Sequence, residues 1–378
     1  MDSEELHSKL LIDLKETIQD CNINFLVGSG LSRPYLKTLG NIEILLTELD
    51  RLDLSSEPNK LKTLKASLYK KYYDGVIEKN LLVMHNDSDA DKVLENYKEF
   101  LRCINIILLK RKTTLLNKQA NVFTTNIDIF FEKALEDASL EFNDGFKGRF
   151  NPTFSLSNFK KSYFKKSLHY DNTSEIPVFN LLKVHGSLNW RATENEITLS
   201  KLSIVNRIQQ KVNITEGLVD IDDSIKSIKE VIDDVEEIDD YSQIDYFLNL
   251  YEKLPIVNPT KEKFKHTLLN HTYYELLRIY SNELEKENTI LFVLGFSFAD
   301  EHIKEITFRA LNSNPTMICY IVAYDETAKD EIESSLDLGK LRYDNIRFIY
   351  PNEDESEYTF SEINKRIFCP LKDSVSKI

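Results

Sequence analysis

The sequence predicts an α/β protein built on a doubly wound, Rossmann-like parallel sheet of about six strands. Short apolar runs with the length of buried strands recur along the chain, and segments with helical periodicity separate them. Four of these runs end in glycine, serine and other small polar residues, which is typical of strand ends that border a ligand crevice. The predicted strands are residues 23–27, 121–124, 181–185, 290–294, 317–323 and 346–350.

An amphipathic helix is predicted over residues 4–20, because leucine or isoleucine recurs at every fourth position from Leu6 to Ile18. The first strand follows and ends in a glycine-rich turn, residues 28–32, GSGLS. Its glycines would let a phosphate approach backbone N–H groups, and its serines add hydroxyl donors. Pro34 predicts that a helix begins directly afterwards. The full dinucleotide-binding pattern has a third glycine where Arg33 stands, so this motif alone also fits a plain glycine turn.

A helical insertion is predicted between the first two strands, over residues 41–118, where strand signals are absent. Asp87 or Ser88 is a suitable N-cap for a long helix with an apolar stripe from Leu94 to Leu108. We expect this insertion to cover the crevice, since such stripes usually form core.

The second and third strands end in residues 124–128, TTNID, and in residues 183–190, KVHGSLNW. An amide such as that of Asn126 suits the orientation of a water or a ribose hydroxyl, and an imidazole such as that of His185 suits proton removal near neutral pH. A histidine at a strand end also fits a structural hydrogen-bonding role. A helix is predicted after the second strand, and residues 147–179 are predicted to be loop with short strands.

An acidic helical insertion is predicted over residues 200–255. Eleven acidic residues and two lysines lie between Glu216 and Asp240. Apolar residues from Leu218 to Val235 repeat at alternating spacings of three and four, which is a heptad-like stripe. Two readings stay open, because such a stripe fits either packing on its own domain or a contact with a subunit or partner.

The fourth strand ends in residues 295–303, GFSFADEHI, and a helix over about 327–336 separates the last two strands. Asp300 precedes a helical run and is equally suited to cap that helix or to act in the crevice. We therefore expect one domain over residues 1–378 that carries the two insertions.

The composition excludes several classes of protein. A net charge of −14 disfavours nucleic-acid binding, which depends on neutralising phosphates. The four cysteines lie far apart with no C-x-x-C pair, so we expect no zinc and no other metal site. The start lacks the regions of a signal peptide and no apolar run approaches the ~20 residues that span a bilayer, so a cytoplasmic protein without membrane contact is expected.

The four motifs GSGLS, TTNID, KVHGSLNW and GFSFADEHI occur in this order between residues 23 and about 305. This set resembles the sirtuin-like family of NAD-consuming enzymes, in particular its bacterial phage-defence branch. The resemblance implies NAD as the substrate, with Asn126 and His185 as catalytic residues. The positions it implies for NAD binding are Gly28, Ser29, Gly30, Ser32, Thr125, Asp128, Gly295, Ser297 and Asp300.

Departures from the protein-deacylating sirtuins bear on the reaction. Those enzymes carry glutamine where Thr125 stands, and they carry a zinc module that this chain lacks. An acyl-lysine channel therefore has little support, and the resemblance favours hydrolysis of NAD to nicotinamide and ADP-ribose. The alternatives are an ADP-ribosyl transferase or deacylase, a sensor that binds NAD or ADP-ribose, and a nuclease component of a defence complex.

Control of such an activity is expected to come from assembly. About 70 residues follow Ile306 and carry two predicted strands, which leaves no room for a fused sensing domain of usual size. The resemblance is greatest to short sirtuin-like chains paired with a HerA-type ATPase, so we expect a homo-oligomer with such a partner. The predicted contacts are the acidic stretch Leu218 to Ile238 and the N-terminal helix.

Overall fold

The computed structural model describes residues 3–376, apart from residues 39, 86, 114, 258–266 and 353–354. Its α-helices are α1 (Ser3–Gln19), α2 (Ile42–Arg51), α3 (Pro58–Tyr72), α4 (Asn80–Val83), α5 (Ser88–Leu109), α6 (Phe130–Asp137), α7 (Ser203–Lys211), α8 (Ser242–Tyr251), α9 (Thr267–Leu284), α10 (Glu301–Ser313), α11 (Glu326–Leu336), α12 (Phe360–Ile363) and α13 (Cys369–Ser376). Its strands are β1 (Asn22–Val27), β2 (Gln119–Thr124), β3 (Glu141–Asn143), β4 (Phe146–Lys147), β5 (Thr153–Phe154), β6 (Tyr163–Lys166), β7 (Thr173–Ile176), β8 (Val178–Lys183), β9 (Trp190–Ala192), β10 (Ile197–Leu199), β11 (Thr289–Leu294), β12 (Ile318–Val322) and β13 (Ile346–Ile349).

A parallel sheet of seven strands forms the centre of the fold, in the order β13-β12-β11-β1-β2-β8-β3. The six predicted strands are all present in it, so the predicted fold class is confirmed. The seventh, β3, is an edge strand of three residues, too short and too polar to show in the sequence pattern. Two small antiparallel sheets, β4-β5-β10-β9 and β6-β7, contain the short strands expected between residues 147 and 179, and β9 and β10 of the first sheet lie outside that range, between residues 190 and 199.

Both faces of the central sheet are covered. Phe25 of β1 packs on one side, against Phe100 of α5 and Phe292 of β11. Its neighbour Leu26 belongs to a second core on the other side, which α9, α10 and α11 complete. Because successive side chains of a strand point to opposite faces, β1 carries apolar residues on both faces, as a strand buried on both sides is expected to do, with Asn24 as its one fully buried polar side chain.

A row of asparagines fixes the register of four adjacent strands. Asn24, Asn121, Asn180 and Asn143 lie side by side on β1, β2, β8 and β3. Each side-chain amide donates to the next: Asn121 Nδ2 to Asn24 Oδ1 at 2.8 Å, Asn180 Nδ2 to Asn121 Oδ1 at 2.8 Å, and Asn143 Nδ2 to Asn180 Oδ1 at 3.0 Å. A slip of one residue would move an amide to the opposite face and break the row.

The first insertion is helical, as predicted. Helices α2 to α5 occupy it, and Asp87 caps α5 by accepting from the backbone N–H groups of Asp89 and Ala90 at 3.1 and 3.0 Å. The sequence also predicts that Pro255 and Pro259 close the acidic insertion and that a helix follows from Phe264 to Tyr280. That helix is α9, whereas Pro259 and Phe264 lie outside the described residues.

The predicted helix over the acidic stretch is wrong. Residues 212–241 between α7 and α8 are irregular, apart from the short 3₁₀ turns Ile228–Glu230 and Ile232–Asp234. Crowded like charges disfavour a helix there. The apolar side chains instead pack into the protein's own core, with Ile228 fully buried. Of the two readings that the sequence left open, packing on its own domain is correct for this apolar stripe.

Candidate active site

A cavity of about 600 Å³ lies at the carboxyl ends of the central strands. Strand order reverses between β1 and β11, and ligands of open α/β sheets bind at such a switch point. All the predicted site residues except Gly28 line this cavity: Ser29, Gly30, Ser32, Thr125, Asn126, Asp128, His185, Gly295, Ser297 and Asp300. The structure therefore brings together motifs that are spread over more than two thirds of the chain.

The glycine turn packs directly against the loop that follows β11. The N–H groups of Gly28 and Gly30 donate to the carbonyl oxygens of Leu294 and Gly295 at 3.0 and 3.1 Å, so they are engaged within the protein. A Cβ atom on Gly30 would lie 2.9 Å from the Cα atom of Gly295. These glycines are required because the two loops pack backbone against backbone.

No α-helix begins at Pro34, contrary to the prediction. The turn Ser29–Ser32 is a short 3₁₀ helix, and the next α-helix is α2, which begins at Ile42. The peptide bond between Arg33 and Pro34 is cis. The loop over residues 28–34 therefore does not lead directly into an α-helix whose N-terminus could bind a phosphate.

Ser32 connects the first loop to the second. Its Oγ donates to Asp128 Oδ2 at 2.7 Å, and the hydroxyl of Tyr97 on α5 lies 2.8 Å from the same Oγ. Since the serine hydroxyl has one hydrogen, Tyr97 must be the donor in the second bond. Asp128 Oδ1 also accepts from the backbone N–H of Phe130 at 3.2 Å. The carboxylate is thus held by the protein on both oxygens.

Asn126 presents an oxygen that the protein leaves without a donor. The side chain is 4% exposed, and its Oδ1 accepts no hydrogen bond from any described residue. Its backbone N–H donates to Thr124 Oγ1 at 3.0 Å, while its Nδ2 makes a long contact of 3.5 Å to Ser32 Oγ and also interacts with the hydroxyl of Tyr97. A buried polar atom without a partner costs about 1 to 3 kcal/mol, so this oxygen is suited to accept from a ligand hydroxyl or a water.

His185 and Asp300, from the third and fourth motifs, form a hydrogen-bonded pair. His185 Nε2 lies 3.0 Å from Asp300 Oδ2, and both side chains are mostly buried. Asp300 Oδ1 accepts from the backbone N–H groups of His302 and Ile303 at 2.9 and 3.1 Å and so caps α10. Asp300 therefore caps α10 with one carboxylate oxygen, as the sequence allowed, and contacts His185 in the cavity with the other.

Several groups that line the cavity or hold its lining residues were not identified from the sequence. Lys183, only 3% exposed, donates from Nζ to the backbone carbonyl of Asp128 and lies 3.3 Å from Glu132 Oε1. The sequence feature that could have identified Lys183 is a lysine at the end of an otherwise largely apolar strand. Arg33 and Lys37 also line the cavity and bring positive charge to its edge, and the signal there was the replacement of the third glycine by arginine.

The phenol of Tyr72, near Asp128, stays neutral. Burial and, to a lesser extent, the charge of Asp128 raise the pKa of Tyr72, which lines the same cavity. Tyr72 is therefore a hydroxyl donor throughout the physiological pH range.

No protein-family model and no curated protein matches this chain. Within the described ranges, no histidine, cysteine, aspartate and glutamate side chains group in threes or more as a metal site would require. In the same part of the chain, no helix has an apolar stretch long enough to cross a membrane.

Proposed function

We propose that this protein hydrolyses NAD to nicotinamide and ADP-ribose at the cavity between β1 and β11. The observation that carries the proposal is the buried Oδ1 of Asn126, which lacks a described donor and lines the same cavity as His185. The cavity volume of about 600 Å³ lies within the range of roughly 300 to 1,000 Å³ that is usual for small-molecule sites.

The proposed reaction breaks the bond between the ribose C1′ atom and the nicotinamide nitrogen. The electron pair of that bond goes to the nitrogen, so that nicotinamide leaves as a neutral molecule. A water oxygen bonds to C1′, and His185 accepts the proton that the water loses. Asn126 Oδ1 would accept from the water or from a ribose hydroxyl and thereby orient it.

Two basic side chains of the cavity lining support the proposed dinucleotide, although four carboxylates, those of Glu43, Asp128, Asp300 and Glu331, line the cavity as well. Arg33 and Lys37 offer donors for the pyrophosphate, although Lys37 also lies 3.8 Å from Asp223. Arg33 is held by a bond from Nη2 to Thr38 Oγ1 at 3.2 Å. A guanidinium is well suited to a pyrophosphate because its donors match two phosphate oxygens at once.

The proposed role in the cell is bacterial anti-phage defence by NAD depletion, which follows from the resemblance of the four motifs. An unregulated enzyme of this kind would deplete its own host, so we propose that turnover is controlled by self-association and by a HerA-type ATPase. The apolar residues of the acidic stretch are engaged in the protein's own core, and so are Leu14 and Ile18 of α1. A partner that binds the acidic stretch would therefore contact its exposed acidic side chains, and one that binds α1 would contact residues such as Ile12, which is exposed.

Nicotinamide release from NAD by the purified chain tests the proposal, with and without the product of the adjacent gene. We expect release in equimolar amounts with ADP-ribose. Release that depends on an added protein or acyl-lysine acceptor would indicate a transferase or deacylase, and binding without turnover would indicate a sensor. Light scattering and co-purification test the proposed assembly separately.

A further inference from the structure

We infer that Asp300 is a positioning residue that determines which ring nitrogen of His185 is free to accept a proton. The expected effect on kcat rests on the proposed NAD hydrolysis. The expected tautomer of His185 does not depend on that function. Its structural basis is the 3.0 Å contact between His185 Nε2 and Asp300 Oδ2.

The environment of Asp300 favours a carboxylate that only accepts hydrogen bonds. Two backbone N–H groups of α10 donate to its Oδ1, and the N-terminus of that helix stabilises negative charge. The charge acts on its surroundings as well, since burial and then Asp300 raise the pKa of Tyr273, whose ring lies 6.1 Å from the imidazole.

A neutral imidazole carries one proton, on Nδ1 or on Nε2. Because Asp300 Oδ2 accepts, the proton must be on Nε2, and Nδ1 is left with a free electron pair. Nδ1 is then the atom that takes the proton from the attacking water. The negative charge of Asp300 would also stabilise the imidazolium that this transfer produces.

The variant Asp300→Asn separates this role from helix capping. Asparagine keeps an oxygen that can cap α10, but it presents an NH₂ group where Oδ2 now lies. That group donates to Nε2, so the imidazole proton moves to Nδ1 and the proposed base is lost. The same exchange in a histidine–aspartate pair of a hydrolase can cost about 10,000-fold in kcat with the geometry intact.

Asp87→Asn is the matched control. Asp87 caps α5 through the same two backbone positions, the second and third residues after it, at 3.1 and 3.0 Å. It does not line the cavity. Any effect of losing a capping charge should therefore appear equally in both variants.

The experiment measures nicotinamide release and, independently, the tautomer of His185 by ¹⁵N NMR of histidine-labelled protein, assigned with His185→Gln. We expect Nε2–H in the unmodified protein at alkaline pH and Nδ1–H in Asp300→Asn. We expect kcat to fall about 100- to 10,000-fold in that variant, with KM within a few-fold, an unchanged thermal midpoint and no effect of Asp87→Asn.

An unchanged tautomer in Asp300→Asn would overturn the inference, and so would a changed tautomer with an unchanged kcat. Equal loss of kcat in Asp87→Asn would overturn it as well. If the unmodified protein releases no nicotinamide, the proposed function fails, whereas the NMR measurement still decides whether Asp300 sets the tautomer.

Discussion

Gly28 and Gly295 are in backbone contact, so close that a Cβ atom on Gly28 would lie 2.3 Å from the carbonyl oxygen of Gly295. The two residues directly follow β1 and β11, the neighbouring strands between which the strand order reverses. Gly295 itself has φ of +59°, which favours glycine. The loops that carry the first and last motifs are therefore positioned by each other.

Gly28→Ala should destabilise the protein by about 1 to 3 kcal/mol, because backbone atoms cannot move aside as a flexible side chain can. Gly339→Ala is the control, since an added Cβ there meets nothing within 4 Å. Urea unfolding of both variants measures the difference. Equal stability of the two would show that the loops separate easily and that their contact is not structurally important.

Asn126→Ala should reduce nicotinamide release by about 100-fold or more, because it removes the oxygen proposed to orient the water or ribose. The free energy of unfolding should change little, since that oxygen has no described donor to lose. Asn158→Ala is the matched control: its Nδ2 donates to the carbonyl of Gly145 at 2.9 Å, away from the cavity lining. It should lose stability and keep its activity at temperatures where it is folded. Full activity in Asn126→Ala would contradict the proposed site.

His185→Ala should reduce kcat by about 100- to 10,000-fold, the usual effect of losing a positioned base. His302→Ala should leave kcat unchanged, because His302 is exposed on α10 and does not line the cavity. Steady-state nicotinamide release by the two variants is the measurement. A near-normal rate in His185→Ala would exclude this histidine as the base.

Asp144 should make the stability of the protein depend on pH. Burial, with the charges of Glu132 and Glu136, raises its pKa to about 6, although the N–H of Phe146 donates to it at 3.0 Å. Since the folded pKa lies above the unfolded value, the folded state holds this proton more tightly. Its contribution to stability is complete below about pH 4 and is lost as the pH rises through 6.

Asp144→Asn should therefore be more stable than the unmodified protein above pH 6, by about 1 to 3 kcal/mol, with the difference vanishing below pH 4. Urea unfolding between pH 4 and 7 measures it. Asp171→Asn, at a fully exposed position, controls for the change in net charge. A difference that does not vary with pH would contradict the assignment to Asp144.

The strands and the place of the site follow from local sequence. A buried strand can be recognised in the sequence by its run of apolar residues, whatever its position in the sheet. Parallel strands bring their carboxyl ends to one edge of the sheet. The sequence alone therefore predicted that Ser32, Asn126, His185 and Ser297 share a cavity. It did not predict β3, because three residues at a sheet edge carry too little pattern. It also led to a wrong helix for residues 218–238, since spacing alone does not distinguish a helix from an irregular segment that buries the same residues.

Only the tertiary structure decided which side chains bond to one another. Ser32 and Tyr97 are 65 residues apart in the chain, and His185 and Asp300 are 115 apart. Such pairs depend on strand order and on how an inserted helix lies against the sheet, and neither leaves a signal near either residue. The sequence by itself determined that Asp300 could cap a helix or act in the crevice. Its two carboxylate oxygens cap α10 and contact His185 because folding places the end of β8 beside the start of α10, where a hydrogen bond of 3.0 Å can form.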